Sequence, residues 1–302
     1  MLLAVRHVTL IVNPHATAVT EEKLEAVERA VRGVAELGVL RTEARGHATS
    51  LARDASAGSD AVLVYAGDGT ANEVLNGVNG SVPVGFVPGG GTSVLARALG
   101  LPRDAPAAAE TIARALADGR TRRISLGRVN GRRFAFAAGV GFDAELVRRV
   151  DARGRTLAGR RSGNLVFAWS AVTLLAELRG RLAQSLEIQG HGRAAAVLVA
   201  NGRPYTYAGP FRFDVVPEAE FELGLDFVAP VRVGPLGVPR MLGYALLGRG
   251  QVGAADVLYG HDLDRIEVVC DSPLPVQADG EDLGDATTIV FEAERGAVEV
   301  LV

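Results

Sequence analysis

The sequence predicts an α/β domain followed by a mainly antiparallel β domain. Three observations carry this expectation. Continuous apolar runs alternate with helical patterns over about the first 120 residues, glycine-rich turns stand where those runs end, and beyond about Arg120 strands follow one another through short turns. Strands buried on both faces and joined by helices make a parallel sheet, whereas strands joined by hairpins pair antiparallel.

Val8–Val12 (VTLIV) is the first apolar run and breaks at Asn13-Pro14. Thr20 opens a helix through about Leu37, with Glu21 and Glu22 in the first turn, where the helix dipole favours carboxylates. Val39–Glu43 reads as a short strand, His47–Ser56 as a short helix, and Ala61–Tyr65 (AVLVY) as a buried strand that ends at Gly67. A helix over Ala71–Val78, a strand over Val84–Val87, a helix near Thr92–Leu99 and another over Asp104–Ala117 complete an open sheet with crossovers. The second half reads as strands over Arg122–Val129, Arg132–Ala138, Leu186–Gln189, Ala194–Asn201, Phe211–Val216, Leu225–Ala229 and Ile266–Cys270. Helical patterns interrupt them at about Asn164–Arg181 and Pro235–Leu247, and Asn130-Gly131 is a hairpin signal.

Composition removes several chemistries. The chain has 302 residues and a net charge of -3, without the basic excess of a nucleic-acid binder. Its one cysteine, Cys270, allows neither a disulfide framework nor a thiolate zinc site within the chain. Lys23 is the only lysine and lies in a helical pattern, so a Walker A loop, a protein-kinase strand lysine and a Schiff-base lysine are all excluded. Phosphate, if bound, meets backbone amides and arginine. The five histidines show no ligand spacing, and no G-x-S-x-G elbow occurs. The start, MLLAVRHVTLIVNP, lacks a basic segment before its apolar stretch, and the longest apolar run, Leu165–Ala176, is too short to span a bilayer. A soluble cytoplasmic protein without a transmembrane segment is expected.

Three motifs concentrate the chemistry. Ala66-Gly67-Asp68-Gly69-Thr70-Ala71-Asn72-Glu73-Val74 follows a buried strand and opens a helix. Glycines there let backbone approach a ligand, and the helix start directs amides at it, an arrangement suited to a polyphosphate. The same pattern is also that of a tight turn capped by Asp or Thr. Pro88-Gly89-Gly90-Gly91-Thr92-Ser93 is a second strand-to-helix turn, and Asn13-Pro14 makes a third on the same edge. Neither glycine loop has the G-x-G-x-x-G spacing of a dinucleotide site. The third motif, Val276-Gln277-Ala278-Asp279-Gly280-Glu281-Asp282, reads on pattern alone as a hairpin turn with exposed acids.

Taken in order, NP, GDGT-x-NEV-x-NG, PGGGT…LARALGLP and PVQADGEDLG resemble the diacylglycerol kinase catalytic-domain family, the bacterial lipid kinase and sphingosine kinase group. The resemblance implies a Rossmann-like, nucleotide-binding domain over residues 1–124, to which the last strands, about 288–302, return. It implies a β-sandwich-like, lipid-binding domain over residues 125–287. It further implies ATP and Mg²⁺ as cofactors, a lipid substrate drawn from the membrane surface, and a cytoplasmic protein working at the inner membrane face. A homodimer is left open. By the same resemblance Ala66, Gly67, Asp68, Gly69, Thr70, Ala71, Asn72 and Glu73 match the nucleotide phosphate loop. Asn13, Thr42, Gly91 and Thr92 match further nucleotide contacts, Asp68 the acid that organises Mg²⁺ through water, and Glu281 the general base. Two departures stand out: AGDGT replaces GGDGT, so Ala66 must avoid positive φ, and Thr92-Ser93-Val94 lacks the Asn and Asp of the family's second loop, GT-x-ND. An NAD kinase-like phosphotransferase, which shares the G-D-G-T turn, and a non-catalytic lipid-binding regulator of the same fold are the alternatives.

Overall fold

The computed structural model describes residues 7–156, 173–174, 176–208 and 211–302. The chain divides into two compact units, Met1–Leu126 with Arg295–Val302, and Gly127–Glu294.

The first unit is an α/β sheet. Its elements are β1 (His7–Val12), α1 (Glu21–Arg32), β2 (Glu36–Arg41), α2 (His47–Gly58), β3 (Ala61–Ala66), α3 (Asp68–Gly77), β4 (Val84–Pro88), α4 (Val94–Ala98) and α5 (Ala105–Asp118). Strands pair in the order β2-β1-β3-β4, all parallel, and the final residues of the C-terminal strand add a further parallel neighbour at Val300 opposite Val84. The apolar runs are the reason: β3 and β4 are buried throughout, and only the edge strand β2 is polar and partly exposed. Helix α1 turns Leu24, Val27 and Val31 onto the sheet, and its Thr20 cap accepts a hydrogen bond from the Lys23 amide at 3.3 Å. That helix stops at Arg32, earlier than the expected Leu37, because Gly33 follows and β2 begins at Glu36. Conversely α3 begins at Asp68, three residues before the expected Ala71, so Gly69 and Thr70 form its first turn.

The second unit is antiparallel. Its elements are β5 (Thr121–Val129, entering from the first unit), β6 (Arg132–Phe134), β7 (Ala137–Val140), α6 (Phe142–Thr156), β8 (Leu186–Ile188), β9 (Gly192–Ala194), β10 (Val197–Ala200), β11 (Thr206–Ala208), β12 (Phe211–Phe213), β13 (Leu225–Pro230), α7 (Val238–Leu247), β14 (Val257–Leu263), β15 (Arg265–Ala278) and β16 (Glu281–Leu301). Strands β14, β13, β10, β7, β15 and β16 lie side by side in that order, each pair antiparallel. Two hairpins have the two-residue turn that Asn-Gly and Asp-Gly prefer: φ is 47° and 86° at Asn130-Gly131, and 47° and 78° at Asp279-Gly280. The expected strand 132–138 is split into β6 and β7, and the expected strand 194–201 into β9 and β10. Helix α6 and strand β14 are additional to the sequence expectation. The expected helix over 164–181 lies largely outside the described residues.

The second unit's core is built around Phe134, Phe227 and Phe291, all fully buried, with Phe134 and Phe291 edge to face at 6.5 Å. Truncating Phe134→Ala is expected to destabilise this unit by about 3–5 kcal/mol. Denaturant unfolding followed on the second unit's transition checks this; a loss below about 1 kcal/mol would show that Phe134 is not a packing centre.

Candidate functional site

Four parallel strands end side by side in the first unit, and each end carries a residue that the sequence singles out: Asn13 after β1, Thr42 after β2, Gly67 after β3 and Gly89 after β4. This carboxyl edge is where open α/β sheets bind ligands. The turns are stitched to one another. The Asn13 amide donates to the Tyr65 carbonyl at 3.2 Å, Thr42 to Val12 at 2.9 Å, Gly89 to Ala66 at 2.8 Å and Ala18 to Gly89 at 2.9 Å. Asn13 Nδ2 donates to Thr70 Oγ1 at 3.0 Å, joining the first turn to the third.

The two glycine-rich turns touch through their backbones. A Cβ on Gly90 would meet the Gly67 Cα at 2.8 Å, and one on Gly89 would meet the Ala66 backbone at 3.0 Å. Asp68 locks the contact from the side-chain level: Oδ2 accepts the Val94 amide at 3.0 Å and Oδ1 the Leu95 amide at 3.1 Å. Each oxygen keeps a further lone pair, so the carboxylate can hold the second turn and still accept from a ligand water. Ser93 reaches αL geometry at φ 45° and closes the second turn with its hydroxyl on Gly90. Val94 and Leu95, at the positions where the family's loop has Asn and Asp, are buried at the start of α4 and serve Asp68 through their amides. Ala66 is absent from the positive-φ residues, so AGDGT fits without strain.

In the first turn of α3 the amides of Asp68, Gly69 and Thr70 have no intrahelical acceptor. Together with the dipole of a ten-residue helix, they make an anion site in the carboxyl edge. Farther along α3 the side chains turn inward. Asn72 is buried and accepts from Asn76 Nδ2, while the Glu73 carboxylate accepts the Ala48 amide at 3.2 Å and so caps α2. Thr42 is buried, Thr92 half-buried and Gly91 exposed.

The second unit supplies a separate constellation at the β15–β16 hairpin. Its three acids have different partners. Asp279 accepts three backbone amides, from Ala135 at 2.6 Å, Phe136 at 3.0 Å and Ala137 at 3.2 Å, which is why the chain bends between β6 and β7. Glu281 pairs with Arg132 and is about a quarter exposed. Asp282 takes the Arg148 guanidinium in two bonds of 3.0 Å each, and Asp285 shares that arginine. Gln277 fastens the turn from behind: its Oε1 accepts the Gly280 amide at 2.9 Å and its Nε2 donates to Asp143 at 2.6 Å. Tyr205 donates to the other Asp143 oxygen at 2.6 Å. Burial holds the Asp143 carboxyl above its usual range, although both donors favour its ionised form, and burial beside Asp143 pushes the Tyr205 phenol well up. Sequence reasoning missed Arg132, Asp143, Tyr205 and Gln277; a lone polar residue inside the apolar run Pro275-Val276-Gln277-Ala278 was the signal for the last.

Residues 7–129 match the family described as "Diacylglycerol kinase catalytic domain". Over those residues the chain is similar to that family. A diacylglycerol kinase of Bacillus subtilis (strain 168) is 36% identical over 143 residues, covering 46% of this chain and 45% of its own length, so the match spans about half of that relative. A Pseudomonas aeruginosa (strain PAO1) protein named "Probable lipid kinase YegS-like" is 29% identical over 95% of this chain and 91% of its own length. A crystal structure of a diacylglycerol kinase from Bacillus anthracis str. Sterne superposes with a TM-score of 0.72 at 19% identity, over 98% of this chain and 97% of that one, and shows the same fold. The family match covers the whole carboxyl edge, with Asn13, Thr42, Asp68 and Gly91 inside it, and ends before the β15–β16 hairpin.

A divalent cation would find one carboxylate at this edge, that of Asp68. Among the described residues no cluster of three or more His, Cys, Asp or Glu side chains could hold a metal. Mg²⁺ commonly takes one or two carboxylates, phosphate oxygens and waters, and Asp68 is the carboxylate at hand.

The partners of the hairpin acids separate structure from chemistry. Asp279→Ala is expected to cost about 2–4 kcal/mol, since it strands three amides of largely buried residues, whereas Glu281→Gln should cost under about 1 kcal/mol. Thermal and denaturant unfolding of both variants checks this; equal losses would contradict the division of roles.

Proposed function

We propose that this chain is an ATP-dependent lipid kinase that moves the γ-phosphate of MgATP to the hydroxyl of diacylglycerol, giving phosphatidic acid, or to that of a related long-chain lipid alcohol. The observation that carries the reading is the Asp68 bridge, which presents two glycine turns and the α3 amides as one preformed anion cradle at the strand ends. The match of residues 7–129 to the diacylglycerol kinase catalytic-domain family supports the same assignment, and the similarity over nearly the whole chain to a protein named "Probable lipid kinase YegS-like" extends it to the second unit.

Phosphoryl transfer needs positioning and charge stabilisation more than covalent participation. In this reading the amides of Asp68, Gly69 and Thr70 hold the polyphosphate, Gly67, Ala71 and the Gly89–Thr92 turn let it approach the backbone closely, and Asn13, Thr42 and Asn72 shape the same edge. Mg²⁺, when bound, neutralises charge on the β- and γ-phosphates. Asp68 would help hold that cation while keeping the second turn in place. Glu281 takes the proton of the lipid hydroxyl as the new O–P bond forms and the bond from the γ-phosphorus to the bridging oxygen breaks, releasing ADP. Arg132 keeps the Glu281 carboxylate fixed until a hydroxyl replaces it as partner. The lipid acceptor makes this a protein that works at the inner membrane face, with its second unit as the lipid-binding domain.

Incubation of the full chain with a total lipid extract and γ-labelled ATP tests the activity class. The label is expected in a phosphorylated lipid that co-migrates with phosphatidic acid or a related lipid phosphate. Label in NAD alone would replace the lipid acceptor by a dinucleotide, and label in neither would favour a binding protein. Within the kinase reading, Glu281→Gln is expected to lower kcat by roughly 10²–10⁴-fold with the KM for ATP unchanged. Steady-state kinetics on a lipid acceptor decide this; a near-normal kcat would remove Glu281 as the base.

A further inference from the structure

Helix α7 is built unlike the other helices among the described residues. None of its residues is buried, and Leu242, Leu246 and Leu247 are exposed at 55%, 46% and 65%. Leu236, in the turn that leads into it, is 95% exposed, and Val252 beyond it is 44% exposed. Apolar side chains normally pack inward, so a cluster of this size on one exposed segment marks a surface that meets another phase. At about 100° per residue, Leu242, Pro239, Leu246, Gly243 and Leu247 fall within an arc of about 140°, and no charged residue interrupts it.

The opposite side of the helix is fastened. The Asp214 amide donates to the Ala245 carbonyl at 3.0 Å, and Gly248 ends the helix against the Asp214 side chain. Buried Gln251 donates to the Asp214 and Val215 carbonyls at 3.2 and 3.1 Å. The segment is therefore a fixed ledge with its apolar arc turned out.

Charge chooses the partner. From Val231 to Ala255 the sequence contains Arg232, Arg240 and Arg249 and no Asp or Glu, in a chain whose net charge is -3. All three arginines are exposed. Arg240 pairs with Asp256 and lies over the Tyr244 ring, while Arg232 and Arg249 take part in no ion pair among the described residues. An apolar arc rimmed by arginine is the composition of a helix that lies in the headgroup region of an anionic bilayer.

We infer that the turn at Leu236 and helix α7 form the surface by which this protein docks on an anionic phospholipid bilayer, with Leu236, Leu242, Leu246 and Leu247 entering the acyl boundary and Arg232 and Arg249 facing the headgroups. The inference deepens the lipid-kinase reading by naming the face that meets the membrane, and it rests on that reading for its purpose alone.

Co-sedimentation of the full chain with vesicles tests it without any turnover. Wild type is expected to bind vesicles of phosphatidylcholine with phosphatidylglycerol far better than vesicles of phosphatidylcholine alone. The double variant Leu242→Asp with Leu246→Asp should lower the anionic-vesicle partition coefficient by about 100-fold, since two apolar anchors become charged. Arg232→Glu with Arg249→Glu, which leaves every apolar residue in place, should lower it by about tenfold or more. Both variants should keep the wild-type melting temperature and the wild-type turnover of a water-soluble short-chain diacylglycerol. Vesicle binding equal to wild type in either variant overturns the proposal, as does a wild type that ignores anionic vesicles. A dimer on gel filtration that the double variant converts to monomer assigns the face to a second copy and also overturns it. Vesicle binding through this face by a chain that phosphorylates no lipid would sink the kinase reading and leave the docking surface standing.

Discussion

Two backbones that touch, at Gly67 and Gly90, set the geometry on which the first unit's ligand edge depends. No side chain fits there: a Cβ on Gly90 would stand 2.8 Å from the Gly67 Cα. The contact keeps the turns after β3 and β4 at one fixed spacing, and Asp68 holds it by taking two amides from the start of α4. A carboxylate placed among amides is stable because each oxygen is hydrogen-bonded, and hydrogen bonds to a charged group are the strong ones. The parallel sheet makes this possible by delivering four strand ends to one edge. Everything proposed for phosphate recognition uses amides that this arrangement has already oriented, so binding requires little ordering.

The β15–β16 hairpin illustrates how one short acidic stretch divides its labour by geometry. Asp279 and Gly280 both adopt the positive φ of a tight turn, which aims the Asp279 carboxylate back at three amides of the β6–β7 bend. Period-two alternation then places Glu281 and Asp282 on opposite faces of β16, where Arg132 and Arg148 respectively meet them. Gln277, Asp143 and Tyr205 brace the turn from the buried side. A carboxylate drawn largely out of water is costly unless donors satisfy it, so the presence of both donors argues that the brace serves to fix the turn.

Much of this was legible in the sequence because its signals are local. Apolar runs wrote three of the four parallel strands, while the polar edge strand β2 (Glu36–Arg41) begins three residues before the expected Val39, and Asn130-Gly131 and Asp279-Gly280 wrote two hairpins whose dihedrals match the expectation. The glycine turns and the acids could be picked out for the same reason, since a strand end followed by a helix start is written in adjacent residues. What the sequence concealed is long-range. That Asp68 would spend its oxygens on Val94 and Leu95 depends on a contact 26 residues away, and the Glu281–Arg132 pair spans 149. Helix starts were misjudged where glycine or a polar residue sits inside the first turn, as at Asp68-Gly69-Thr70, because those residues also write a loop. Helix α6 was missed because Phe142–Thr156 carries many charges, and its amphipathic stripe is weak by pattern alone.

Whether the carboxyl edge of the first unit is a nucleotide phosphate site decides the function of the chain. Hydrogen exchange of the full chain with and without MgATP is the most direct measurement. Slowed exchange concentrated at residues 66–72 and 89–95 is the predicted result, because a bound polyphosphate covers the two glycine turns and steadies the helix starts that follow them. Protection confined to residues 185–270, with the glycine turns unchanged, would contradict it.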